Sequence, residues 1–229
     1  MTGAPALAAI DAALRAAGLC VRGAFHPAPD DAVPALPDGR GARTVVLAGL
    51  DGAAGWAAFE RGRRDEPDPL DRWSARALAA LAARFGGAVV MPNDGPPWPP
   101  FQRWAQRGAP LHRSPLGLSI HPVLGLWQAW RGALLLAEPL ALPDVPAAPS
   151  PCDACAERPC LSSCPVGAFT AQGFDAAACA AHLRAPAGRA CRDGGCLARR
   201  ACPVGREYAY GAAQQRFHLD AFLRAHEPP

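Results

Sequence analysis

The chain has 229 residues and a mass of 23.8 kDa, with 50% hydrophobic and 19% charged residues, which suits one large or two small globular domains and excludes a disordered chain. A formal net charge of +3, from 23 basic against 20 acidic residues, is too balanced for nucleic acid or an anionic membrane to be the main partner. All 23 basic residues are Arg, so Lys Schiff-base chemistry and a P-loop Lys are excluded, and a single Arg carries little functional weight by itself.

The first predicted element is a helix over Pro5–Ala17, with apolar residues at helical spacing and Gly18 as its stop. Asp11 and Arg15 lie inside this apolar stretch and no basic start precedes it, the wrong order for a secretory signal. Leu19–Phe25 reads as a strand, followed by a Pro/Asp-rich loop to Arg43. Thr44–Leu50 is a short β-branched run that predicts a buried strand. Asp68 is the predicted cap of a helix with Pro69 at its first position, running to Phe85 and stopping at Gly86-Gly87. Ala88–Met91 is another strand. Four prolines and three aromatics between Gly95 and Trp104 make a rigid apolar loop that leads into a short helix. It either caps a flat ligand or is pinned to the core by Trp98 and Phe101. Leu118–His121 and Gly132–Leu136 complete the strands. The pattern is αβ and three-layer-like, without a regular βαβ repeat.

No GxGxxG or GxxxxGK[ST] run occurs, so a Rossmann nucleotide site and a P-loop lack support. No Ser-His-Asp or paired-carboxylate site can be argued. The longest apolar run, Gly132–Leu142, contains Glu138 and Pro139 and falls short of the roughly 18–20 residues that span a bilayer. A soluble, cytoplasmic protein without a membrane partner is expected, and in a reducing compartment cysteines serve as metal ligands or catalysts more than as disulfides.

Cysteine usage divides the chain. Of nine cysteines, Cys20 stands alone and the other eight fall between Cys152 and Cys202. The border, residues 142–151, has four prolines in ten positions and predicts a stiff, extended linker. The expected organisation is therefore an αβ domain over 1–141, the linker over 142–151 and a cysteine domain over 152–229.

The cysteine run is Cys152-x2-Cys155-x4-Cys160-x3-Cys164-Pro165, then Cys179, then Cys191-x4-Cys196-x5-Cys202-Pro203. Eight thiolates make two sets of four, the number that two [4Fe-4S] clusters require. The run resembles the bacterial ferredoxin pattern C-x2-C-x2-C-x3-C-P, whose fourth Cys ligates the other cluster. One spacing is expanded by two residues, and the closing Cys164-Pro165-Val166-Gly167 is repeated as Cys202-Pro203-Val204-Gly205. The ferredoxin crossover groups Cys152, Cys155 and Cys160 with the distant Cys202, and Cys164 with Cys179, Cys191 and Cys196. Phe174–Arg184 is the helix that carries Cys179. Four-Cys structural zinc is the alternative, although Cys-Pro endings are not a zinc-ribbon feature. Arg189, Arg192, Arg199, Arg200 and Arg206 surround the later cysteines. They either offset cluster charge and meet an acidic electron donor, or form a solvated basic face. Cys20 reads as an isolated buried thiol.

Eight cysteines with a lone one between two groups resemble the iron–sulfur module of epoxyqueuosine reductases and corrinoid reductive dehalogenases. The N-terminal part resembles the vertebrate cobalamin-processing family, decyanases and dealkylases of nitroreductase-like fold, through Asp68-Pro69-Leu70-Asp71-Arg72-Trp73 and the run Ser119–Leu136 with its His121-Pro122, Gly125, Trp127 and Arg131-Gly132. These resemblances imply an α+β chain: a nitroreductase-like αβ domain followed by a small, mostly helical and loop, ferredoxin-like domain with two [4Fe-4S] clusters. They also imply a corrinoid (cobalamin) pocket at His121, Gly125, Trp127 and Arg131. The alternative is a structural His121 at a strand end and Trp127 and Trp130 in the core. The helical-repeat tail with which epoxyqueuosine reductases engage tRNA has no counterpart, so tRNA reduction is not expected.

The leading expectation is a cytoplasmic redox protein whose two clusters pass electrons from a low-potential donor, of the flavodoxin, ferredoxin or reductase kind, to a corrinoid. It would then be a corrinoid-dependent or cobalamin-reducing oxidoreductase. The alternatives are a ferredoxin-like electron carrier without corrinoid and a zinc-stabilised binding module.

Overall fold

The computed structural model describes residues 6–227; Pro5, the expected start of the first helix, lies outside them. Helix α1 spans Leu7–Ala16 and ends as Gly18 turns into the left-handed region at φ +81°, a conformation that glycine adopts without steric cost. Strand β1 (Leu19–Phe25) follows at once and pairs antiparallel with β2 (Thr44–Leu50). All seven residues of β2 are buried, as a strand covered on both faces requires. Helix α2 (Gly52–Gly62) and helix α3 (Pro69–Phe85) follow. After α3 come β3 (Ala88–Val90), helix α4 (Phe101–Gly108) and, beyond an excursion, β4 (Trp130–Leu136).

The sheet order is β1-β2-β4-β3, antiparallel throughout. Helix α3 packs on β4 and β3, and α1 and α4 pack on β1. The fold class is therefore mixed αβ around a small antiparallel sheet. Gly23 and Gly108 let β1 and α4 approach closely: a Cβ on Gly108 would stand 2.7 Å from the Ala24 amide nitrogen. Phe59, Leu78, Trp104, Leu134 and Leu135 fill the interior, and Trp104 Nε1 donates to the Asp31 carbonyl at 2.7 Å.

Several local expectations are corrected. Asp68 stands at the start of α3, but its backbone is left-handed (φ +46°) and its side chain makes no cap hydrogen bond. Trp98 is 64% exposed and pins nothing, whereas Phe101 is buried. Helix α2 went unforeseen because Gly52 and Gly55 weaken the helical propensity of its start; Asp51 stands at its N-cap without a side-chain cap bond.

The chain divides into two compact units, and the division differs from the expected one. The first comprises residues up to 110 together with 128–147, the second 111–127 together with 148–229. Residues 142–150 form no helix or strand and contain the last crossing. The excursion 111–127, expected in the αβ domain, belongs instead with the cysteines. The physical reason is burial: Leu116, Ile120 and Leu126 form an apolar core with Cys160, Ala198 and Cys202.

The second unit is made of short helices: α5 (Pro159–Ser162), α6 (Ala176–Arg184), α7 (Arg189–Gly194), α8 (Leu197–Arg200) and α9 (Ala212–Ala225). Two-residue antiparallel pairs join His112–Arg113 to Ser119–Ile120 and Phe169–Thr170 to Gly173–Phe174. Among the described residues no helix is long and apolar enough to cross a membrane.

Candidate metal centre

The two Cys-Pro-Val-Gly endings are local structural repeats. Each follows a one-turn helix, α5 before Cys164 and α8 before Cys202, and each closes on a left-handed glycine, Gly167 at φ +57° and Gly205 at φ +69°. The tight turn lifts backbone N–H groups toward sulfur: Ala168 N–H donates to Cys164 Sγ at 3.3 Å. At the start of α8, the Arg199 and Ala198 backbone N–H groups donate to Cys196. Asp175 caps α6 by accepting from Ala178 N–H at 2.8 Å, which fixes the helix that carries Cys179.

The eight thiols separate into two groups. Cys152, Cys155, Cys160 and Cys202 line a narrow recess together with Ser114, Leu116 and Ile120. Cys164, Cys179, Cys191 and Cys196 line a cavity of about 490 Å³. These are the two sets that the ferredoxin crossover groups together. Leu116 belongs to both walls. None of the nine cysteines forms a disulfide.

Burial and neighbouring thiols hold Cys152, Cys160, Cys179 and Cys196 protonated. Desolvation pushes Cys152 and Cys160 up; Cys202 and Cys155 raise Cys152 further, and Cys202, Cys152 and Cys155 raise Cys160 further. Cys179 is pushed up to about 11, first by burial and then by Cys196, Cys164 and Cys191. Cys196 is raised chiefly by burial, against the two backbone N–H bonds. Positive charge entering among such thiols, as metal coordination supplies, favours their thiolate forms.

The donor set fits an iron–sulfur core: only sulfur ligands, four per site, in apolar walls. Four-sulfur zinc uses the same donors, and the two sites differ in size, with about 490 Å³ at Cys164, Cys179, Cys191 and Cys196 and about 20 Å³ at Cys152, Cys155, Cys160 and Cys202. Among the described residues, no three His, Cys, Asp or Glu side chains converge as a single-ion site.

His121, Gly125 and Trp127 lie in the cysteine unit and Arg131 in the sheet unit. His121 Nδ1 accepts from the Val123 and Leu124 N–H groups at 3.0 and 3.2 Å, which closes a tight turn. Gly125, at φ +57°, meets the Cys202 loop: a Cβ there would lie 2.0 Å from the Val204 carbonyl oxygen. Trp127 is buried and meets Tyr210 edge-on. Arg131 is buried on β4, donating from Nε to Ser74 Oγ at 3.1 Å and from Nη2 to Asp71. That ion pair joins the two segments on which the cobalamin-family resemblance rests.

Of the basic residues near the later cysteines, Arg192 donates to the Leu183 carbonyl at 3.3 Å and Arg206 to the Cys202 carbonyl at 3.4 Å. Arg189 lies in solvent beside Asp193. Arg199 lines the larger cavity. Ser114 and His182 also line the cysteine cavities and were not foreseen. His182 was findable, since it follows Cys179 by three residues on one helix and so shares its face; Ser114 left no signal. Compared with known proteins, the chain matches no family model and no curated protein.

Proposed function

We propose that the chain is an iron–sulfur electron-transfer protein holding two [4Fe-4S] clusters, one at Cys152, Cys155, Cys160 and Cys202 and the other at Cys164, Cys179, Cys191 and Cys196. The observation that carries this reading is the four-and-four division of the thiols between two apolar cavities, with Cys202 crossing to the first group. Bound clusters would supply one-electron carriage. The chain's own part is to present eight sulfurs, exclude water with Leu, Ile and Phe side chains, and donate backbone N–H groups to Cys164 and Cys196. The nitroreductase-like and ferredoxin-like assignments of the two units, and a cytoplasmic setting with a flavodoxin, ferredoxin or reductase as donor, belong to the same proposal.

A corrinoid as electron acceptor is the narrower form of the reading. It rests on the resemblance, and three of its four expected residues serve instead to seat the Cys202 loop or pack beside it. The packing therefore favours an electron carrier over a cobalamin enzyme.

Anaerobic purification with iron and acid-labile sulfide analysis tests the proposal. About eight of each per chain are expected, with a brown colour that dithionite bleaches. Two zinc ions per chain without iron would overturn it. Cys202→Ala and Cys155→Ala should then damage one cluster and Cys179→Ala the other, as read by paramagnetic resonance. Titration with hydroxocobalamin separates the two forms: binding supports the corrinoid form, and no binding at high micromolar concentration leaves the carrier.

A further inference from the structure

The two cysteine cavities differ in the polar groups that share them. In the larger one Arg199 is held rigidly. Its guanidinium carbon lies 4.4 Å from the Trp127 ring centre and 4.8 Å from that of Tyr210, and one Nη donates to the Leu126 carbonyl at 2.6 Å. Its Nε is buried and has no partner. His182 lines the same cavity, and its Nε2 is likewise buried without a partner. His218 is the third polar residue of that wall, its ring against Tyr210. The narrow recess has only Ser114, whose buried Oγ lacks a partner, and Arg158, an exposed side chain whose charge solvent screens. Neither cavity is lined by a carboxylate.

A guanidinium N–H buried without an acceptor is costly. The cavity that Arg199 and His182 line holds four thiols and no carboxylate. Hydrogen bonds to sulfur and nearby positive charge favour the more negative, reduced state of a four-thiolate site and raise its potential. A charge-assisted bond does so about twice as strongly as a neutral hydroxyl.

Resting on the two-cluster reading above, we propose that the site of Cys164, Cys179, Cys191 and Cys196 has the higher potential of the two, set by Arg199 and His182. A single electron taken from a low-potential one-electron donor then comes to rest there, with Leu116 as the wall shared with the other site.

The test is an anaerobic redox titration of the iron-loaded full chain, followed by paramagnetic resonance. The signal missing in Cys155→Ala identifies the first site. The expected result is two one-electron steps, the higher belonging to the second site. Arg199→Gln should lower that step by at least about tenfold in electron distribution, about 59 mV for one electron, and leave the other in place. His182→Phe should lower it by less, and Ser114→Ala should move only the first site. A second site that is the lower of the two overturns the inference, as do variants at Arg199 and His182 that both leave it unmoved. If Arg199→Gln fails to hold iron, the wild-type order and His182→Phe decide. A chain that binds no iron overturns the cluster reading and this inference together, whereas iron with the reverse order overturns the inference alone.

Discussion

In the sheet unit, β2 buries all seven of its residues and β4 six of seven, and aliphatic and aromatic side chains fill the interior. Among the described residues of the cysteine unit no strand exceeds two residues, and of its helices only α9 is longer than nine. Its apolar core is shared with sulfur: Cys160 and Cys202 sit among Leu116, Ile120 and Leu126, with Cys152, Cys164 and Cys196 packed against them. Helices this short are marginal by themselves. The first unit therefore draws its stability mainly from burial, while the second is expected to gain stability from a ligand of its thiols.

The largest expected effect tests that dependence directly. Removing iron with a chelator under reducing conditions should expose the amides of 111–127 and 148–229 to hydrogen exchange while the sheet amides stay protected, since metal-site binding energy is folding energy in such a unit. Equal protection in both units would show that the second folds without its thiol ligands.

The converse break lies in the sheet. Leu134 is fully buried on β4, and Leu134→Ala should cost about 2–5 kcal/mol in denaturant unfolding of the first unit, with iron content unchanged. A loss of iron would tie the two units together. Gly125→Ala comes next. It forces a side chain onto a left-handed residue and into the Val204 carbonyl, at a cost of about 1–3 kcal/mol, and should lower iron retention at the site that includes Cys202 while sparing the other.

Arg131→Met sharpens the comparison within the sheet unit. It removes the bonds to Asp71 and Ser74 and should destabilise that unit by about 1–3 kcal/mol without changing the iron signals. Weakened hydroxocobalamin binding in this variant would restore Arg131 to the corrinoid pocket.

The smallest effect concerns Cys20. Its Sγ donates to the Leu50 carbonyl at 3.6 Å, and burial pushes the thiol up to about 11 from an ordinary value of 9.0. The folded state thus keeps a proton that the unfolded chain loses near pH 9, so the sheet unit should lose stability as pH rises from about 9 toward 11. Cys20→Ala should flatten that part of the profile, and thermal unfolding across pH 8–11 measures it.

Much of the sheet unit was legible because its signals are local. Leu19–Phe25, Thr44–Leu50 and Pro69–Phe85 have the boundaries expected of them, since β-branched runs and a Pro-to-Gly helix frame act within a few residues. Helix α9 was not legible: its buried positions include Gln214 and Gln215, and hydrophobic periodicity does not register polar side chains packed inside. Gln215 is needed there because its amide donates to the Tyr210 carbonyl at 2.5 Å and fills the space beside Gly195, next to Cys196.

Cysteine count and spacing by themselves supplied eight thiols in two groups of four, and the ferredoxin resemblance placed Cys202 with the first three; the same two groups line two cavities. Only the tertiary structure decided what surrounds those thiols. The segment 111–127 reads as part of the sheet domain by position, yet Leu116, Ile120 and Leu126 are buried with the cysteines, and Gly125 fits against Val204 across a long sequence separation. The same holds for Arg199. Five arginines near the cysteines look alike in sequence, and packing between Trp127 and Tyr210 distinguishes Arg199, which lines a thiol cavity and whose Nε is buried. Long-range burial has no local signature, because it depends on which apolar surfaces remain uncovered once each local element has formed.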